Sequence, residues 1–188
     1  MIVTITGLPG SGKSTLGKPL AAALGLKHYY IGGIMRECAK KRGMTLNEYL
    51  KLGETDSSVD QEVDSYQTEL GKRSDDFVIE GRTSFYLIPH SVKVFLTVSL
   101  AEGARRIKDD LADSVKAKSR NEGKTGSESA IIERLKERVA SDRKRYKKYY
   151  GIADAYDPSL FDIVVDTTEK TPDATLQEVL EQIKKKRL

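Results

Sequence analysis

Cysteine, histidine and long apolar runs are scarce in this sequence of 188 residues. Cys38 is its only cysteine, so the chain cannot form an internal disulfide, and we expect Cys38 to be a small core residue on a helix. The histidines, His28 and His90, stand far apart and lack the cysteine partners of a zinc site. No apolar run reaches the length of a membrane span, and the apolar N-terminal stretch leads into a glycine-rich loop rather than a signal-peptide cleavage site. These absences argue against disulfide-stapled and membrane proteins and favour a cytoplasmic one.

Charge is abundant and unevenly distributed. Hydrophobic residues make up 38% of the chain and charged residues 32%, with a formal net charge of +4, which is typical of a folded, highly charged domain. Basic residues gather at 134–148 and 184–187. A nucleic-acid partner would explain this bias, and so would a site that holds several phosphates. The terminal run is also typical of a solvated helix end.

A phosphate-binding loop is the strongest motif. The pattern G-x-x-x-x-G-K-[ST] is met by Gly7, Leu8, Pro9, Gly10, Ser11, Gly12, Lys13 and Ser14, and Thr15 follows. A β-branched run precedes this segment and a helical pattern follows it, which is the context in which backbone N–H groups cradle a polyphosphate. Lys13 is then expected to reach the β- and γ-phosphates and Ser14 to ligate Mg²⁺. A glycine turn without a ligand is the alternative, and the complete motif argues against it.

Apolar periodicity predicts an α/β fold. The five strand candidates are Ile2–Thr6, Lys27–Ile31, Phe77–Glu80, Val92–Val98 and Asp162–Asp166. Their mostly continuous apolar runs predict a parallel sheet buried on both faces between layers of helices. The helical patterns are Lys13–Leu24, Gly33–Arg42, Leu46–Leu52, Ser58–Arg73, Ala101–Leu111, Ser129–Tyr149 and Thr175–Lys186.

Two stretches are longer than a connection between neighbouring strands requires. Residues 32–74 predict a helical insertion, and the polar residues 112–130 predict a short surface lid. The remaining segments, 1–31, 75–111 and 131–188, form the expected core of a single domain. A phosphate-loop core with one insertion and one lid is typical of a nucleotide kinase that closes over two ligands.

Two arginines follow strand ends and are candidates for binding a second phosphate. We expect Arg36 to lie near a helix N-terminus, where it could grip a monophosphate; an exposed helical arginine is the simpler interpretation. Glu80 is expected at the carboxyl end of its strand, where ligands of open α/β sheets bind, and Gly81 and Arg82 follow it. Glu80 could hold a water on Mg²⁺ and Arg82 the acceptor phosphate, although a structural Glu–Arg pair is also open.

The helix after the lid carries Arg138, Asp142 and Arg145 on one face. Phosphoryl transfer needs cations because negative charge spreads over the migrating group, so these residues could stabilise that charge. A solvated ladder of surface ion pairs is the structural alternative.

Taken together, these motifs resemble the nucleoside monophosphate kinases, and most closely the archaeal-type cytidylate kinases, over nearly the whole chain. The resemblance rests on the order and spacing of segments 7–14, 32–36, 43–48, 59–67, 79–82, 138–146 and 161–168. It implies a three-layer P-loop fold with a five-stranded parallel sheet, a monophosphate-binding helical insertion and a short lid.

The resemblance also implies residue roles. Arg36 and Arg82 correspond to arginines that bind the acceptor phosphate, Arg138 to one near the transferred group, and Arg106 to one that lies against the donor adenine. Asp142 and Arg145 correspond to residues that contact cytosine. The acceptor side is further expected to include Gly33, Asp64, Gln67 and Gly81.

The sequence therefore predicts Mg²⁺-dependent transfer of the γ-phosphoryl group of ATP to CMP or dCMP. An adenylate or UMP kinase on the same fold is one alternative, and an ATP-dependent RNA- or ribosome-associated factor is another. We expect a monomer with small-molecule substrates, no membrane contact and no nucleic-acid partner.

Overall fold

The computed structural model describes residues 1–113, 117 and 127–186. Most of the expected lid, 112–130, lies outside this range. The described chain divides into two compact units. The first contains 1–31, 64–98 and 156–188, and the second contains 32–63 and 99–155, with boundaries inside two helices.

The first unit is built on a five-stranded parallel sheet, which confirms the predicted fold class. Its strands are β1 (Ile2–Gly7), β2 (Lys27–Tyr30), β3 (Phe77–Glu80), β4 (Val92–Thr97) and β5 (Ile163–Asp166). They are ordered β2-β3-β1-β4-β5, and each neighbouring pair is parallel. β1 and β3 are buried along their whole length, as their continuous apolar runs predict.

The edge strands correct the expectation of burial on both faces. β2 is exposed or half-buried at every position, and β5 alternates between buried Ile163 and Val165 and exposed Val164 and Asp166. An edge strand has only one neighbour to cover it, so its outer positions tolerate polar or exposed side chains.

Helices cover both faces of this sheet. Helices α1 (Lys13–Leu24) and α8 (Pro172–Lys186) pack against one face, through Leu16, Leu20, Val179 and Ile183. On the other face Phe95 stacks on Phe161, whose ring also contacts Phe85 of the short helix α5 (Ser84–Leu87). These layers fix the carboxyl ends of β1, β3 and β4 at one edge of the sheet.

The second unit is helical. It contains most of α2 (Ile31–Lys41), all of α3 (Leu46–Leu52), α6 (Leu100–Ala112) and α7 (Glu128–Tyr150), and the first turns of α4 (Ser58–Arg73). Small apolar clusters hold it together: α6 packs on α7, and Tyr49 lies with Ala39 and Val59. Cys38 is half-buried against the Tyr49 cluster, as expected for a packing residue. Among the described helices, none is long and apolar enough to cross a membrane.

Candidate active site

The phosphate loop joins β1 to α1 in the first unit. Gly10 and Gly12 adopt positive φ angles of 79° and 85°, a conformation that side chains with a Cβ rarely accept. The ammonium group of Lys13 donates to the carbonyl oxygens of Gly7 and Leu8, at 2.8 Å each. Helix α1 then begins at Lys13, so the N-terminus of the helix lies at the end of the loop. This is the geometry expected of a cradle for phosphate oxygens.

Thr167, just after β5, supports the loop from behind. Its hydroxyl lies 3.2 Å from the carbonyl oxygen of Ser11 and 2.9 Å from that of Thr97. Thr167 is buried, and the Ser11 side chain beside it is 1% exposed. Sequence reasoning missed this support, because residues 11 and 167 come together only through the strand order.

Glu80 ends β3 as expected and is 3% exposed. Its Oε1 lies 2.6 Å from Nε2 of His28 on the neighbouring strand β2. Burial raises the pKa of Glu80, while hydrogen bonding with His28 and Ser14 and the charge of Lys13 act in the opposite direction. The carboxyl group is therefore held between the first turn of α1 and β2.

The residues around Glu80 fit a magnesium ion that is bound mainly by phosphate oxygens and water. Within the described residues, no group of three or more histidine, cysteine or acidic side chains could form a dedicated metal cage. Glu80 Oε2 is buried and has no hydrogen-bond partner among the described residues, so it can still accept a hydrogen bond. A serine hydroxyl with one carboxylate nearby is an oxygen donor set that suits Mg²⁺.

A buried polar network follows Glu80. Gln67 on α4 accepts a hydrogen bond from Ser84 and donates to Asp64 (3.1 Å) and to the Thr83 hydroxyl (3.4 Å). Thr83 in turn donates to Asp64 at 3.0 Å. Gly81 is required here, because a Cβ would meet the Ser84 hydroxyl and lie 3.1 Å from Gln67 Oε1. The network anchors the turn that carries Arg82, whose side chain is half-buried.

Arg36 lies deeper in its helix than the sequence indicated. Helix α2 begins at Ile31, two residues before the predicted start, so Arg36 occupies the second turn. The favourable field of a helix N-terminus fades within the first turn, so the helix dipole does not favour an anion at Arg36 as the sequence suggested. Arg36 is 9% exposed, which also excludes the interpretation as a solvated surface arginine. Gly33, also expected on the acceptor side, is half-buried in the first turn of this helix.

Asp142 and Arg145 form a buried ion cluster in the second unit. Both are 0% exposed, so the surface-ladder interpretation is wrong for this pair. Arg145 donates to Asp142 (3.0 Å) and to the carbonyl oxygen of Leu50 (3.1 Å), and its Nε lies 3.5 Å from Asp60. A base could touch either side chain only if the cluster opens. Asp60 lies on α4, and sequence spacing alone gave no signal that it would join α7.

The remaining predicted arginines are more accessible. Arg138, one turn before Asp142, is half-buried. Arg106 on α6 is half-buried and its Nε lies 2.7 Å from Glu102, which pins the side chain along its own helix.

Helix α7 is tied to the turn between α3 and α4. Lys144 pairs with Glu54 at 2.6 Å, and the Tyr149 hydroxyl donates to the carbonyl oxygen of Gly53 at 2.9 Å. Hydrogen bonding with Lys144 and with Ser141 lowers the pKa of Glu54. The second half of α7 therefore stabilises the inserted helices of its own unit.

Sequence comparison with known proteins identifies similar chains. A family model described as the cytidylate kinase-like family matches residues 2–169. The cytidylate kinase of Pyrococcus furiosus is 37% identical over 174 residues, which cover 92% of this chain and 83% of that protein. The cytidylate kinase of Methanopyrus kandleri is 37% identical over 175 residues, covering 93% of this chain and 89% of that protein.

Among solved structures, a shikimate kinase from Aquifex aeolicus superposes with a TM-score of 0.59 at 21% identity, covering 100% of this chain and 99% of that one. At this identity the likeness shows the P-loop kinase fold alone. The sequence relationship is closer and spans nearly the whole chain, so this protein belongs to the cytidylate kinase-like family, a family of nucleoside monophosphate kinases.

Proposed function

We propose that this protein is a cytidylate kinase that transfers the γ-phosphoryl group of Mg²⁺-bound ATP to CMP or dCMP. The observation that carries the proposal is the phosphate loop and its neighbouring Glu80 in a chain that is 37% identical to archaeal cytidylate kinases. An oxygen of the acceptor phosphate attacks the γ-phosphorus, the bond to the leaving ADP oxygen breaks, and CDP forms. The acceptor phosphate is already ionised, so no side chain need remove a proton.

On the donor side, we assign the ATP phosphates to the loop amides of residues 7–15 and to Lys13. Their support is the inward-curved loop, whose lysine folds over the carbonyl groups of Gly7 and Leu8. When ATP binds, Lys13 can exchange these carbonyl contacts for phosphate oxygens. Ser14 and, through water, Glu80 would hold Mg²⁺, which supplies charge neutralisation at the phosphates. Arg106 is assigned to the adenine ring, where a guanidinium can stack.

On the acceptor side, we assign the monophosphate to Arg36 and Arg82. Arg82 is supported by its position directly after Glu80 and Gly81 and by the Gln67 network that anchors its turn. A guanidinium can bind a phosphate through two parallel hydrogen bonds, which fixes the acceptor for in-line attack. Gly33, Asp64, Gln67 and Gly81 belong to the same acceptor assignment.

We assign recognition of cytosine to Asp142, held by Arg145, with Arg138 near the transferred group. A carboxylate accepts hydrogen bonds from the exocyclic amine of cytosine and rejects the carbonyl oxygen that uracil carries there. Because Asp142 has no exposed surface, this role requires the ion cluster to open when CMP binds.

The direct test is ADP release measured with CMP, dCMP, UMP, AMP, GMP and shikimate as acceptors. We expect the highest kcat/KM with a cytidine nucleotide. Absence of turnover with both CMP and dCMP would refute the acceptor assignment. ATP turnover that ignores every monophosphate but responds to RNA would favour the RNA-associated alternative.

The matched lysine variants test the donor assignment. Lys13→Ala should lower kcat by about 100- to 1000-fold, the cost of losing one preorganised charged donor. Lys18→Ala removes an exposed lysine five residues along the same helix and should leave kcat unchanged. Equal effects of the two substitutions would contradict the assignment.

A further inference from the structure

Glu80 on β3 meets residues of two other elements of the first unit. His28 on β2 holds Oε1 of Glu80 at 2.6 Å, and Gly17 on α1 faces both side chains. A Cβ at position 17 would lie 2.5 Å from that oxygen and 2.7 Å from His28 Nε2. The pair therefore occupies space that exists only because residue 17 is glycine.

This arrangement selects one orientation of the carboxyl group. His28 engages Oε1, and Oε2 remains buried without a partner among the described residues. Ser14 and Lys13 of the phosphate loop lie near enough to lower the Glu80 pKa. If the imidazole were missing, rotation about the last side-chain bond of Glu80 would no longer be restricted by the hydrogen bond to His28.

The pair is not needed to hold the two strands together. β2 and β3 already pair through their backbones, with His28 opposite Val78 and Tyr30 opposite Glu80. Burying a carboxyl group costs free energy, so a buried polar pair of this kind often contributes little net stability. The position of His28 is better explained by an orienting role.

We infer that His28 is a positioning residue, which orients Glu80 toward the Mg²⁺ that accompanies ATP. This inference rests on the proposed function. A neutral imidazole with hydrogen on Nε2 is sufficient, so the role does not depend on protonation of His28. Groups that hold a metal-binding side chain in place commonly account for about 10- to 100-fold in metal affinity.

Calorimetric binding of ATP with and without Mg²⁺ tests this role without reference to turnover. The measured quantity is the factor by which Mg²⁺ tightens ATP binding. His28→Phe keeps an aromatic ring but removes the donor, and we expect this factor to fall about tenfold or more, while ATP affinity without Mg²⁺ stays near that of the wild type. His28→Gln keeps an amide donor and should retain most of the factor.

Two controls show whether the effect is specific to His28 and acts through Glu80. His90→Phe makes the same change at the exposed second histidine and should leave the factor unchanged. In a Glu80→Gln background, His28→Phe should have no further effect, because His28 acts through Glu80. If His28→Phe does not fold, His28→Asn, whose donor is too short to reach Oε1, replaces it in the same comparison.

The outcomes separate this inference from the proposed function. A wild-type protein whose ATP binding ignores Mg²⁺ would overturn both. A wild-type Mg²⁺ effect that survives intact in His28→Phe would overturn only the role of His28. Equal weakening of ATP binding with and without Mg²⁺ would also overturn it, because that result indicates a purely structural histidine.

Discussion

Gly17→Ala is expected to destabilise the protein, although alanine normally stabilises a helix. Gly17 lies inside α1, where replacing glycine by alanine usually contributes about 0.5–1 kcal/mol to stability. Here the new Cβ would lie 2.5 Å from Glu80 Oε1, 2.7 Å from His28 Nε2 and 3.0 Å from Glu80 Cδ. Such distances force either a backbone shift or separation of the pair.

The magnitude follows from these competing effects. Overpacking a buried site costs about 1–3 kcal/mol, and a hydrogen bond to a charged group that must break costs about 1.5–3 kcal/mol. Only one of these two costs applies, because a backbone shift that relieves the overlap leaves the hydrogen bond between Glu80 and His28 intact. After subtraction of the helix gain, we expect the free energy of unfolding to fall by about 0.5–2 kcal/mol.

Equilibrium urea denaturation measures this change, provided that the slope of the transition is unaltered. The same substitution in a His28→Ala, Glu80→Ala background provides the control, because the atoms that the Cβ would meet are then gone. In that background alanine should be neutral or stabilising by up to about 1 kcal/mol. Equal destabilisation in both backgrounds would refute the steric argument.

Further predictions concern the ion cluster, a helix cap and a surface carboxylate. Arg145→Met leaves two carboxylates buried without their cation, and urea denaturation should show a loss of about 3–5 kcal/mol; a loss below 1 kcal/mol would contradict the cluster. Thr45→Ala removes the capping box of α3 and should cost about 1 kcal/mol in the same assay, whereas an unchanged midpoint would mean that the cap is not formed. Hydrogen bonds from Arg105 and then Arg106 lower the pKa of Glu102 from 4.5 to about 2, so its stabilising effect is present above pH 4.5 and is lost as the pH falls toward 2. The difference in stability between the wild type and Glu102→Gln should therefore shrink over that interval and in high salt, and a difference independent of pH would exclude this ion pair as its source.

Local sequence patterns predicted those parts of the fold that are determined by residues close together in the chain. The glycine loop, the β-branched run of β1 and the helix after them depend on neighbouring residues, and their order alone specifies a phosphate cradle. The start of α2 at Ile31 was missed because the strand pattern of β2 runs into it without a break. The four residues of α5 are too few to show any helical period.

Contacts made by strand order and helix packing could not be predicted in this way. The i, i+3 spacing of Asp142 and Arg145 is the same in a solvated ladder and in a buried pair, and only the packing of α3 and α4 around α7 distinguishes the two. His28 gave no signal either, because its partner Glu80 lies 52 residues away on the adjacent strand.

Chromatographic identification of the products tests most directly whether this chain phosphorylates cytidylate. Purified protein is incubated with Mg²⁺, ATP and equal concentrations of CMP, UMP and AMP in one mixture. We expect CDP to form first and in step with ADP, while UMP and AMP are consumed more slowly. Formation of ADP without CDP, or preferential consumption of AMP or UMP, would contradict it.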